Sequence, residues 1–369
     1  MRFIKTVLPL LFLMITLPGY AQNLGSRYAD TFVQTLDSLR ETYHLPGLSY
    51  AVIRDDSIIL QGGLGYADLE APTPSTATTN YRIASLTKPI ASTVLLQLQQ
   101  EGRFSIYDSI KPLIPGYEDF YRQVRKYILA NEPRYASLVE HFDFERNDLT
   151  IWHHLTHTAE HTPGDAYHYN GFLFGSLSRL MELTLQMPFA EILQHRIFDP
   201  LAMTHSSPSQ ELASAEALAR LAKPYHYVME RAEYRRSEYP SPDVNAGAGI
   251  VSNVFDLAAF DRAIDHHTLL DTASQAAAWT NQRTTAGEPI PYGLGWFVQQ
   301  YNGKKVVWHY GWQPEAFSGL YLKFPEDGLT LFLLANGENL SAPFKELGYE
   351  QDVFVSPFAR LFVDTFVDR

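Results

Sequence analysis

Ser85 and Lys88 stand three residues apart in the stretch Tyr81-Arg82-Ile83-Ala84-Ser85-Leu86-Thr87-Lys88-Pro89-Ile90. Where such a stretch opens a helix, positions i and i+3 share a face, and the lysine amine comes beside the serine hydroxyl. A serine hydroxyl is a poor nucleophile until a neighbour takes its proton. A lysine whose pKa is lowered by desolvation can take it, and a helix N-terminus favours negative charge developing nearby. The bland alternative is an N-cap serine with a solvated lysine, since this spacing is common by chance. A second group with chemical potential is His153, His154, His157 and His161. No HExxH motif is present and no carboxylate is spaced with these imidazoles, so packed or solvated histidines are expected and neither a metal nor a cofactor.

Several elements must position Ser85. A helix with Ser26 as N-cap is predicted from the spacing of Tyr28, Phe32, Leu36, Leu39 and Tyr43, ending at Pro46-Gly47. Strands over 48–54 and 58–66 follow, joined by a turn at Asp55-Asp56-Ser57. Residues 72–79 read as a polar loop. A helix then starts near Ser85, with Ile90, Val94, Leu95 and Leu98 on one face. Residues 106–243 read as mainly helical and irregular, with a clear apolar stripe over 175–193. Strand patterning returns over 296–300, 306–309, 319–324 and 329–335. Turns at Asn302-Gly303 and Glu326-Asp327-Gly328 suggest antiparallel neighbours. Ser356-Pro357 opens a last amphipathic helix through Phe366.

Strands at both ends separated by a helical middle predict an α+β fold. One antiparallel sheet is flanked by the N- and C-terminal helices, with a mainly helical lobe inserted. The expected sheet lobe covers about 24–105 and 244–369, the helical lobe about 106–243, and the cleft between them is the default site.

The chain has 369 residues, 46% hydrophobic and 19% charged, which is ordinary globular composition rather than disorder. A formal net charge of -12 argues against nucleic-acid binding, which needs a basic footprint. Zero cysteines exclude disulfides, a cysteine nucleophile, thiolate ligands and lipid attachment at a cysteine. Arg2 and Lys5 precede an apolar run over 7–17, and Gly19-Tyr20-Ala21 offers small residues for cleavage. This predicts a signal peptide over 1–21, removed after Ala21, and an exported protein, periplasmic or extracellular. The run is shorter than the ~20 residues that span a bilayer, so no membrane span is expected in the mature chain 22–369.

The serine-x-x-lysine pattern in this context resembles the serine β-lactamase and penicillin-binding protein superfamily. The likeness is closest to class C β-lactamases, D-alanyl-D-alanine carboxypeptidases and their esterase relatives. Residues 149–158 (LTIWHHLTHT) resemble the family's TIRHLLTHTSG segment. Tyr167-His168-Tyr169-Asn170 resembles its tyrosine-x-asparagine loop; alignment with Glu182 and Pro188 selects Tyr169, with Tyr167 the runner-up and read as packing. The usual asparagine position holds Gly171, with Asn170 adjacent as a substrate-contacting candidate. His309-Tyr310-Gly311 occupies the place of lysine-threonine-glycine in β-lactamases, and residues 245–260 and Tyr292-Gly293-Leu294-Gly295-Trp296 also match. The resemblance implies a β-lactamase/transpeptidase-like fold and acyl transfer, with Ser85 as nucleophile and Lys88 and Tyr169 as its proton-transfer partners. Which of the two is the acylation base stays open, and a tyrosinate beside a lysine ammonium is one form of the pair. His309 would be a hydrogen-bonding electrostatic group, Gly311 would allow close approach of substrate, and the N–H groups of Ser85 and Trp312 would form the oxyanion hole. A small-molecule or peptide substrate is implied: a D-amino-acid peptide or carboxylic ester before a β-lactam. The alternatives are weak β-lactamase activity and a non-hydrolytic penicillin-binding sensor. The segment 117–146 is expected to wall the cleft.

Overall fold

A computed structural model describes residues 19–344 and 352–368. Most of the expected signal peptide therefore lies outside the described residues. Seven strands form one antiparallel sheet in the order β3-β2-β1-β11-β10-β9-β8. Three come from the beginning of the chain: β1 (Gly47–Arg54), β2 (Ser57–Asp68) and β3 (Thr73–Pro74). The other four are β8 (Phe297–Tyr301), β9 (Lys304–Gln313), β10 (Phe317–Phe324) and β11 (Leu329–Ala335). The two groups meet where β1 pairs with β11, Ala51 opposite Phe332. The register continues from Phe332 to Tyr321 in β10 and from Tyr321 to His309 in β9. β10 and β11 are buried at every position, as expected of central strands covered on both faces. The tight turns are built as their residues dictate: Asn302 and Gly303 at φ 49° and 80°, and Gly328 at 60°.

One face of the sheet carries α1 (Gly19–Thr42) and the last helix (Pro357–Phe362), whose continuation over Val363–Val367 sets Phe366 against Phe32 at 5.1 Å. Helix α1 runs back through Ser26 to Gly19, so Ser26 is not its N-cap. Residues 19–25 carry no proline to stop the helix there. The other face carries α2 (Thr87–Gln100) and α10 (Val254–Asp265). Between them the chain forms α3 (Tyr117–Asn131), α4 (Ser137–Glu140), α5 (Ile151–Leu155), α6 (Gly171–Gly175), α7 (Leu177–Leu185), α8 (Phe189–Leu193) and α9 (Ala215–Ala219); α11 (Thr272–Ala278) follows α10. Two small strand pairs also occur. β4 (Tyr81–Arg82) pairs with β7 (Val251–Ser252), and β5 (Tyr225–Val228) forms a hairpin with β6 (Glu233–Arg236). The hairpin falls where helical and irregular structure is expected, because four-residue strands are too short to show a period-2 pattern. Residues 72–79 likewise contain the two-residue edge strand β3.

The inner face carries one buried ionic cluster. Lys323, at 0% exposure, reaches Asp261 at 3.0 Å and Asp265 at 2.7 Å on α10, and the Thr330 hydroxyl at 3.1 Å. Removing one partner from a buried set leaves an uncompensated charge. Lys323→Ala is expected to lower unfolding free energy by about 3–5 kcal/mol, read from urea midpoints.

Candidate active site

Ser85 sits on a short 3-10 turn, Ala84–Leu86, that leads into α2. The turn's ladder opens with the Leu86 N–H on the Ile83 carbonyl at 3.1 Å, so the Ser85 N–H lies ahead of it. Ala84 has φ 49°, a left-handed value that costs a non-glycine residue about 1–3 kcal/mol. The sheet enforces it. Gly311 and Gly319 face each other across β9 and β10. A Cβ on Gly311 would stand 2.5 Å from the Ile83 carbonyl oxygen, and one on Gly319 2.9 Å from Leu86 Cδ1. The absence of both side chains lets the turn lie directly on the strands. From above, β4 and β7 clamp it, with the Ile83 N–H on the Ile250 carbonyl at 3.0 Å.

Lys88, 1% exposed, points its amine to Ser85 Oγ at 2.8 Å and to the Gly247 carbonyl at 3.0 Å. The rings of Tyr169 and Phe174 lie 5.0 and 5.6 Å from Nζ. Burial alone lowers its pKa, to about 7. At neutral pH much of the amine is therefore unprotonated, with a lone pair available along the 2.8 Å line to Ser85. The loop that offers the Gly247 carbonyl is held by Asn245, whose Oδ1 accepts from the N–H groups of Gly247 at 2.8 Å and Ala248 at 3.2 Å.

Tyr169 joins this group. Its phenol is pushed well above its ordinary value, by burial first and then by Tyr310, with Ser85 pulling the other way. It makes no full hydrogen bond among the described residues. Burial thus disfavours the charged form of both groups, the form with an amine beside a phenol being favoured over a tyrosinate beside an ammonium. His309 is buried on β9. Its Nδ1 lies 2.7 Å from the Tyr310 carbonyl oxygen and its Nε2 2.8 Å from the Tyr292 hydroxyl. Facing a carbonyl, Nδ1 carries the proton, and Nε2 accepts from Tyr292. Burial and then Lys88 hold the imidazole pKa well below its ordinary value, so it is neutral. Its ring lies 6.1 Å from that of Tyr169. Trp312 follows Gly311 at the edge of the Ser85 turn. Its indole is half exposed and donates to Glu338 at 3.1 Å.

Asn170 is a correction. Its Oδ1 caps α6 by accepting from Phe172 and Leu173, each at 3.1 Å, and its Nδ2 donates to the Leu138 carbonyl and to Glu160. Both ends are used in positioning the loop, and neither is available to a substrate. At Gly171, a Cβ would stand 3.5 Å from Lys88 Nζ, so a side chain there would border the amine. Here that place is open, and the Gly247 carbonyl supplies the amine's second contact. Sequence reasoning missed Gly247 because a backbone acceptor has no side chain to mark it. It also missed Tyr292, although Tyr292 lies in a segment it singled out. Tyr167 is buried in the same aromatic cluster, 6.1 Å from Tyr292.

The histidines at helical spacing are engaged separately. His153 Nδ1 accepts from the Thr150 N–H at 3.0 Å as part of a helix cap. His154 contacts the Tyr117 hydroxyl at 2.9 Å and the Thr150 carbonyl at 3.2 Å. His157 Nδ1 accepts from the Asn170 N–H at 3.1 Å. Helix α3, within the segment 117–146, stacks Phe120 on Phe172, sets Tyr121 edge-on to the same ring, and walls a largely apolar cavity of about 440 Å³ that reaches Gly175 and Asn245.

Residues 32–353 match the family model described as Beta-lactamase. Protein flp of Staphylococcus aureus is 24% identical over 309 residues, 79% of this chain. The chain covers 60% of that relative's length. Penicillin-binding protein 4* of Bacillus subtilis is 25% identical over 87% of this chain and 73% of its own. Among solved structures, a beta-lactamase/D-alanine carboxypeptidase from Pseudomonas syringae superposes with a TM-score of 0.66 at 18% identity, over 84% of this chain and 94% of that one. A D-amino acid amidase from Ochrobactrum anthropi SV3, complexed with L-phenylalanine amide, gives 0.67 at 17% identity, over 91% and 99%. These structures share the antiparallel sheet and helical fold described above.

The glycine seat generates a test. In Gly311→Ala the new methyl meets backbone, which cannot swing aside, so the Ser85 turn must shift. The variant is expected to stay folded by circular dichroism, and to lose at least about 100-fold in its rate of labelling by a serine-reactive fluorophosphonate, as a 1 Å misplacement does.

Proposed function

We propose, from the premise that this chain belongs to the beta-lactamase family, that it hydrolyses an amide or ester through an acyl-enzyme on Ser85. One observation carries the reading: a buried lysine amine, with a pKa near 7 and no ion-pair partner among the described residues, stands 2.8 Å from the serine hydroxyl. The Lys88 amine takes the Ser85 proton as Oγ bonds to the substrate carbonyl carbon. The N–H groups of Ser85 and Trp312 receive the developing oxyanion, each donor worth about 3 kcal/mol. The proton then passes from the Lys88 ammonium by way of the Tyr169 phenol to the leaving nitrogen or oxygen, and the carbon–heteroatom bond breaks. Water cleaves the ester to Ser85 by the same route in reverse, returning the proton to Ser85. His309 is neutral and bonded at both nitrogens, so it holds Tyr292 and the β9 backbone rather than acting as the base.

The substrate class follows from charge. A β-lactam or a D-alanyl peptide carries a carboxylate that a cation must meet. The position taken by lysine in β-lactamases is the neutral His309 here, followed by Tyr310. This favours acyl donors without that carboxylate: carboxylic esters and D-amino-acid amides ahead of D-peptides with a free C-terminus, with β-lactams turned over weakly. The amidase named above supports the amide class. The apolar cavity beside Phe120 and Phe172 does not touch Ser85 but reaches Asn245, in the loop that offers the Gly247 carbonyl to Lys88, and this favours a bulky or aromatic acyl group that extends past that loop.

Three experiments test this. Intact mass after fluorophosphonate treatment should show one adduct on Ser85, absent in Ser85→Ala, which should also lose ester turnover by about 1,000-fold or more. A folded protein without an adduct would instead favour a non-hydrolytic binding protein. Because the base is the unprotonated amine, kcat/KM should rise about tenfold per pH unit below about 7 and level off above it. Phe120 is 51% exposed, so Phe120→Asp should leave the fold intact. It should lower kcat/KM for aryl-acyl esters by about tenfold while sparing acetyl esters.

A further inference from the structure

We propose that Glu160, His161 and His168 bind one divalent transition-metal ion, zinc by its ligand set, and that this ion pins the loop leading into Tyr169. One carboxylate oxygen and one nitrogen from each imidazole lie within 4.8 Å of one another. In a tetrahedral zinc site with bonds of about 2.0–2.1 Å, ligand atoms stand about 3.4 Å apart. Side-chain rotation closes that difference. Of the histidines at helical spacing only His161 belongs to this set; His153, His154 and His157 are each bonded elsewhere. It comes instead from the two ends of a loop, residues 160–168, that helical periodicity cannot bring together.

Three further observations point to a cation. Glu160 is 7% exposed, and among the described residues no lysine or arginine pairs with it. A buried carboxylate without a countercharge is costly, and a bound cation supplies one. The backbone at both imidazoles is already fixed: the His161 N–H donates to the His141 carbonyl and the His168 N–H to the His157 carbonyl, each at 2.8 Å. The carboxylate also has an outer partner, since the Asn170 amide donates to Glu160 Oε1 and leaves the other oxygen for a ligand bond. His161 is exposed, which gives the ion a way in. The fourth position falls to water or to His141, whose ring stacks on His161 at 4.6 Å.

The ion would be structural. It would join the start of the loop to its end, next to Tyr169, and through Glu160 it would fix Asn170, the cap of α6. Soft thiolates are absent from the set; imidazole with carboxylate suits zinc.

The test uses the tag-free mature chain, stripped with chelator and titrated with zinc alone. One zinc per chain by native mass spectrometry and calorimetry is expected, with a rise of a few degrees in Tm. Cobalt should give visible d–d bands. His161→Ala and His168→Ala should each weaken zinc binding at least tenfold and abolish the cobalt spectrum, with the Tm of the metal-free protein within a degree or two of wild type. Glu160→Gln keeps the acceptor for Asn170 while removing the charge, and should weaken zinc as well. His195→Ala, at an exposed histidine elsewhere, should not. No stoichiometric zinc uptake, or uptake undiminished in the three site variants, would overturn the proposal. Ser85 labelling of the metal-free protein reads the acyl-transfer site separately, so the two readings fail independently.

Discussion

Everything around Ser85 is arranged about a cation-forming group kept from water without an anion beside it. Most buried lysines are paired, as Lys323 is with Asp261 and Asp265. Among the described residues, the hydrogen-bond partners of the Lys88 amine are a hydroxyl and a backbone carbonyl. Pairing would hold the ammonium charged; its absence lets desolvation act alone. The described residues thus contain two buried lysines with opposite surroundings. One carboxylate near Lys88 would hold its ammonium charged, as Asp261 and Asp265 do for Lys323.

The walls of the site serve that condition. Tyr169, Phe174 and His157 exclude water from the lysine, and the same exclusion raises the phenol of Tyr169 and lowers the imidazole of His157. A cluster of groups that all resist ionisation can pass a proton without stabilising it at any one station. His309 belongs to this cluster by environment, and its bonds to Tyr292 and the Tyr310 carbonyl make it a strut between β9 and the segment at Tyr292.

Much of this was legible beforehand. The strands announced themselves through alternation and tight turns, and Ser85, Lys88 and His309 through their motifs. What stayed hidden has a common physical cause. Gly247 acts through a carbonyl, and every residue has one. Asn170 carries the right functional group next to the right tyrosine, yet its side chain is committed to an N-cap, which only the start of α6 reveals. The hairpin of β5 and β6 is too short for periodicity to register. Glu160, His161 and His168 meet by loop closure, which no spacing rule encodes.

The pairing of β1 with β11 has a consequence in time. The two central strands are about 280 residues apart in the chain, a separation that makes their meeting entropically slow. The turn at Ser85 is synthesised early, but its seat, Gly311 and Gly319, arrives late. Until β11 is made, a nascent chain has β1 paired with β2 on one side only, and its other edge is open, an aggregation hazard. It also means that a chain without its last strands has no seat for the Ser85 turn: that geometry arrives all at once, with β9 and β10.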